Sequence, residues 1–241
     1  DVGSGGSSPS SMKSGRNESW GVLSGLKKVM KANEKRRNSL QRSVSSGPNR
    51  RKWTGASKIE VDLGDTVISV TVSDDETMFA AGGASKKAHV FSTADGRELA
   101  CFACAQPINS LLFCDIHPRR AYLLAGTFGG IINAFDVSAG RDAGSTKFGG
   151  GGDAVHAMAI GAAGTKLAVG GKSKHIIIYN VALAEGGAAV LGALELTEAA
   201  RVTPMGTVLA LAFDSLAEVL AVGGEARVVQ VWLVPGARPP P

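Results

Sequence analysis

The sequence predicts an all-β protein assembled by repetition, and three observations carry that prediction. One outline recurs four times: AAGGASKKAHVF from Ala80, LAGTFGGIINAF from Leu124, AVGGKSKHIIIY from Ala168 and AVGGEARVVQVW from Ala221. In each copy a glycine stands nine residues before a closing aromatic: Gly82 to Phe91, Gly126 to Phe135, Gly170 to Tyr179 and Gly223 to Trp232. The copies start 44, 44 and 53 residues apart. The second observation is that each copy sits among short β-branched and apolar runs divided by turn residues, the texture of strands. The third is composition: 44% hydrophobic residues, 32 glycines and only 5% aromatics suit tight turns and packing of small side chains.

The N-terminal residues 1–57 have a different character. DVGSGGSSPSSMKSGRN is Gly/Ser-rich and nearly without apolar residues, so disorder is expected because nothing offsets its ordering entropy. In ESWGVLSGLKKVMKAN, Trp20, Leu23, Leu26 and Met30 fall on one helical stripe with Val22 and Val29, while Lys27, Lys28 and Lys31 fall off it. A short amphipathic helix over 19–33 is expected. Gly21 and Gly25 each weaken it by about 1 kcal/mol relative to Ala. A basic, Ser-rich linker, EKRRNSLQRSVSSGPNRRKW, follows and holds Pro48. Charge divides the same way: residues 1–58 hold 13 Lys/Arg against three acids, and the remainder holds 13 against 18. The formal +5 of the chain is thus a basic arm joined to a mildly acidic body.

From residue 58 the pattern becomes strand and turn. IEVDLG reads as one alternating strand. Residues 66–73, 76–83, 86–92 and 97–104 then form the four strands of a first unit. INSLLFC, RAYLLAG, GIINAFDV and STKFG give a second, and AVHAMAIG, TKLAVGG, HIIIYNV and GALELTE a third. TVLALAF, EVLAVGG and RVVQVWLV begin a fourth, after which residues 235–241 run out in prolines as a disordered tail. Four strands per unit of about 44 residues match the period and strand count of a β-propeller blade. Runs such as KLAVGG fit a strand covered on both faces, and the paired glycines admit close backbone approach.

On these motifs the chain resembles the WD-repeat β-propeller family over residues 58 to 234, about three quarters of its length. The small-Gly turn, the nine-residue ruler and the aromatic match. The Trp-Asp dipeptide is replaced by Phe91-Ser92, Phe135-Asp136, Tyr179-Asn180 and Trp232-Leu233, and the Gly-His opening and the Asp before the third strand are absent. The resemblance implies sheets fanned about an axis, with the aromatic filling the gap between blades. It also implies that KIEVDLG completes the last blade. About seven blades are familiar in that family, so about four imply an incomplete ring. The missing blades are then expected on a longer chain or on a partner, and the sequence, which starts at Asp1, is read as a fragment.

Candidate chemistry is sparse. Cys101-x2-Cys104 and Cys114-x2-His117 have zinc-like spacing. On a regular strand, however, Cys101 and Cys104 point to opposite faces, so small buried thiols are expected instead. GGKSK ends like a phosphate loop, but Lys166 stands where that loop needs glycine, and FGGGGD lacks both the lysine and a following helix. His89, His117, His156 and His175 occupy unrelated repeat positions and form no recognisable triad. No catalytic residue, metal or cofactor is therefore expected. In the arm, RRNSL makes Ser39 a candidate phosphorylation site, where phosphate would add about −1.5 to −2 charge to a basic segment.

The function expected is a non-catalytic protein–protein interaction scaffold, with the helix of residues 19–33 able to meet an anionic membrane or a calmodulin-like partner. Two alternatives stand beside it: a regulatory or sensor portion of a larger signalling or membrane protein, and non-specific nucleic-acid binding through the arm. The second is not favoured, because Trp20 and Trp53 make no stacking platform. Three cysteines, no secretory leader and no apolar run of about 18 residues point to an intracellular, cytoplasmic setting.

Overall fold

Each repeat folds into its own antiparallel sheet. The computed structural model describes residues 59–117, 120–149, 152–161, 164–173, 175–184 and 193–234. The first sheet is formed by β1 (Val67–Val72), β2 (Met78–Gly83), β3 (Lys87–Ser92) and β4 (Glu98–Ala103). The second holds β5 (Ile108–His117), β6 (Arg120–Thr127), β7 (Ile131–Asp136) and β8 (Arg141–Lys147). The third holds β9 (Val155–Gly161), β10 (Lys166–Gly171), β11 (Ile176–Leu183) and β12 (Leu194–Val202). The fourth has three strands, β13 (Val208–Phe213), β14 (Val219–Gly224) and β15 (Gln230–Leu233). Strands pair with their sequence neighbours in every sheet, and no helix occurs among the described residues.

The turns repeat as faithfully as the strands. Four residues after the first glycine of the outline, the chain enters the left-handed region: Lys86 at φ 61°, Gly130 at 73° and Arg227 at 57°. Six residues before that glycine it does so again, with Glu76 at 60°, Gly164 at 87° and Ala217 at 53°. Only glycine adopts this conformation without cost, so Gly130 and Gly164 mark what the other residues tolerate. The second glycine of the pair has a different task. A Cβ on Gly83, Gly171 or Gly224 would run into the carbonyl of Thr66, Ala154 or Thr207, on the segment entering the sheet's first strand.

The sheets pack face to face in chain order: β5 lies on β1 and β2, β9 on β5 and β6, and β13 on β9 and β10. Each junction has its own apolar core. Ala80, Val90 and Phe102 of the first sheet meet Leu111, Leu123 and Phe135 of the second. Tyr122, Leu124 and Ile132 meet Met158, Val169 and Ile177. Ala168, Ile176 and Ile178 meet Val208, Leu220 and Val222. Alternation along each strand sends successive side chains to opposite neighbours, so the middle strands of the second and third sheets are buried almost throughout. Three junctions serve four sheets, and no junction joins the fourth sheet to the first among the described residues.

Two strand expectations are corrected. IEVDLG forms no strand; Ile59, Val61 and Leu63 instead border a groove of about 230 Å³ with Val67, Val70, Phe79 and Phe91 of the first sheet. Its alternation is met by lying over an apolar face, where an Ile59 methyl fills the space a Cβ on Gly96 would need. It therefore does not complete the fourth sheet. The last strand of the second unit begins at Arg141, ahead of STKFG, because pairing with β7 runs back to Asp136↔Arg141.

Candidate functional site

The site is built from what joins one sheet to the next. Every first strand carries one unpaired residue at the same place: Ile68, Asn109, His156 and Leu209. Such a bulge shifts the side-chain alternation by one, so residues three apart face the same neighbour. In the second sheet these are Ile108 and Leu111, in the third Val155 and Met158, in the fourth Val208 and Leu211. Each pair presses on the first glycine of the preceding repeat. A Cβ on Gly82 would lie 3.1 Å from Ile108 Cδ1 and 3.3 Å from Leu111 Cδ1. On Gly170 it would lie 2.7 Å from Val208 Cγ1 and 3.3 Å from Leu211 Cδ1. On Gly126 it would collide with Val155. The first glycine is thus a notch, and the apolar pair is the knob that fills it.

At the two ends of the stack this fit is left open. The corresponding knob in β1 is Val67 and Val70; Val70 is 69% exposed, whereas Leu111 is 5% exposed. The last notch is Gly223, where a Cβ would meet only Ala210 of its own sheet, at 3.9 Å. Beside it Val231 is 59% exposed, against 1% for its counterpart Ile178. Val229, Leu233 and Leu209 are exposed with it. The first sheet therefore ends in an apolar knob and the fourth in an apolar notch.

The closing aromatics divide by position. Phe135 reaches across to the first sheet and stacks on Phe102, ring centroids 4.6 Å apart, and Tyr179 is buried in the core between the second and third sheets. Phe91 has no preceding sheet and stacks on Phe79 at 5.1 Å. Trp232 is half-buried against the third sheet. Beside Phe135, Asp136 is fully buried; it accepts the Ala139 N–H at 2.9 Å and lies 3.4 Å from Arg120 Nη1 and 3.9 Å from Arg141 Nε.

A second group of polar residues gathers on the first sheet's open face. His89 pairs across the strands with Cys101, and a bulge at Leu99 brings Glu98 to the same face. One donor atom each from His89, Glu98 and Cys101 lies within 4.8 Å of the others, a mixed N, O, S set of the kind borderline divalent cations accept. His89 Nδ1 and a Glu98 carboxylate oxygen are 2.7 Å apart, so a hydrogen bond already engages two of the three. The zinc-like spacing noted in sequence is not what converges: Cys101 is exposed, while Cys104 and Cys114 are buried in the junction cores. Burial pushes the Cys104 thiol up to about 11 and the Cys114 thiol to about 12. Cys114 Sγ donates toward the Gly164 carbonyl at 3.6 Å. His156 faces Asn109 across a junction, Nδ1 to Nδ2, at 3.2 Å.

The arm lies outside the described residues, and with it the helix of Trp20, Leu23, Leu26, Lys27, Lys28, Met30 and Lys31, and Ser39. The side chain of His117 and residue Lys174 lie outside them as well. Among the described residues no helix is long and apolar enough to cross a membrane. No model of a known protein family matches the chain, and a search of characterised proteins finds no match.

Proposed function

We propose that the chain is a non-catalytic interaction scaffold, an arc of WD-like propeller blades that binds proteins through its exposed loops and its two uncovered sheet faces. The observation that carries this reading is the contrast between equivalent positions. Leu111 and Ile178 are buried against a neighbouring sheet, whereas Val70 and Val231 hold the same places at the ends and face water. Apolar area of this kind gains roughly 25 cal/mol per Å² when another surface covers it, and contiguous exposed patches commonly mark interaction sites. The propeller form itself is supported by the common period, the repeated notch and the chain-order stacking.

The test is a photoreactive side chain placed at Val231, and separately at the exposed Phe128, in cells making the chain. Adducts with other proteins at either position are expected, and the Val231 adducts are expected to diminish when Val229 and Leu233 become lysine. Adducts no more frequent than those at the exposed, polar Asp62 would end the reading.

A further inference from the structure

We infer that the surface covering the open faces is a second copy of this chain: the Val67 and Val70 knob of each copy seats in the Gly223 notch of the other. The inference rests on the scaffold reading only for the premise that these faces are covered, and it names what covers them. The template is the chain's own. Three times over, an apolar pair separated by one bulge fills the notch of the preceding repeat. The remaining knob, on the first sheet, and the remaining notch, on the fourth, face no other sheet among the described residues and stand at opposite ends of the same stack. A partner that carries one half also carries the other, and a second copy satisfies both at once.

The bulged residues give an independent sign. Asn109 and His156 occupy the same place in neighbouring sheets and touch across their junction, a polar residue against a polar one. The residues that would meet in the same way between copies are Ile68 and Leu209. Both are apolar, and they are 44% and 54% exposed in the single chain. Sheet-to-sheet contact runs mainly through the first two strands of each sheet, and Val67 and Val70, which border one groove with Ile59, Val61 and Leu63, remain 45% and 69% exposed beside that segment. Because knob and notch are different surfaces, the contact is head-to-tail, and such contacts end either in a closed ring or in a growing fibre. Two copies related by a twofold axis form the junction twice and close eight sheets, within the range of about four to eight seen in propellers.

The experiment uses the full 241-residue chain and measures its mass in solution by sedimentation equilibrium. Gly223→Leu fills the notch in a place where the single chain has room for a side chain, so its circular dichroism is expected to match the wild type and its melting to match wild type diluted to single chains. Val67→Asp with Val70→Asp removes the knob at exposed positions. The expected result is two chains for the wild type and one for each variant. An equimolar mixture of the two variants should recover a two-chain species through the single junction left intact, dissociating at least about tenfold more readily. A one-chain mass for the wild type at its highest soluble concentration overturns the inference, and so does a two-chain species that survives both variants. Neither result touches the scaffold reading, which stands or falls on adducts with other proteins. Adducts only between copies would sink that reading and leave this one.

Discussion

At the scale of single residues, the first glycine of each repeat is informative because its environment differs along the chain while its sequence context does not. Gly170→Ala places a methyl 2.7 Å from Val208 Cγ1 and 3.0 Å from its Cβ, so the junction must open slightly. Overpacking of this kind costs about 1 to 3 kcal/mol. Gly223→Ala meets nothing closer than 3.9 Å and should stay within about 0.5 kcal/mol of the parent. Urea midpoints at a concentration where the chain is dispersed read the difference; equal losses at both positions would mean the notch is not what the glycine is for. Asp75 offers a pH signal. The Ser73 hydroxyl at 2.6 Å and the Thr77 N–H at 3.0 Å donate to its carboxylate and hold it below the ordinary carboxylate range. A carboxyl whose folded value is depressed adds stability above its unfolded value and loses it as pH falls through the folded one. Melting of the wild type should therefore drop on acidification below about pH 4, and Asp75→Asn should flatten that drop while lowering the plateau near neutrality.

At the scale of the strand, what was legible in the sequence and what was not separate cleanly by physical cause. KLAVGG and VLAVGG could be read as strands because period-two packing leaves its mark on every residue. The apolar pair of β5, Ile108 and Leu111, could not be read as one surface, because three residues on a regular strand point to opposite sides and the bulge that reunites them leaves no composition of its own. The same device hides Glu98 and Cys101, whose convergence with His89 needs both the β3–β4 register and a bulge at Leu99. Ile59–Leu63 failed in the opposite sense: its alternation is genuine but is answered by a groove rather than by hydrogen bonds. The edge strand β15 follows from these faces. Val231 and Leu233 are 59% and 77% exposed, so Val231→Lys should leave the unfolding free energy of the single chain within about 0.5 kcal/mol. A charge on an exposed edge also opposes strand-to-strand aggregation, and light scattering on gentle heating should rise later than in the parent. A large loss of stability would show instead that this face is already covered within one chain.

For the molecule as a whole, the governing fact is that among the described residues each sheet packs mainly on its chain neighbours, which makes the stack nearly one-dimensional. Stability in such a stack is a sum over sheets and junctions, so a sheet with two junctions should open at greater cost than a sheet with one. β10 and β14 provide a controlled comparison, since both are central strands of their sheets with nearly the same sequence, KLAVGG and VLAVGG. β10 is covered on both faces and β14 on one, as their burial reflects: the last five residues of β10 are buried, against two of the six in β14. Amide exchange in the Gly223→Leu chain should therefore be slower in β10 than in β14 by at least about tenfold, the signature of local opening at the end of the stack. In the wild type at high concentration the gap should narrow, because a second copy supplies the junction that β14 lacks. Equal protection of both strands in the dispersed variant would mean that the four sheets open together, and that the junctions do not act as separate terms.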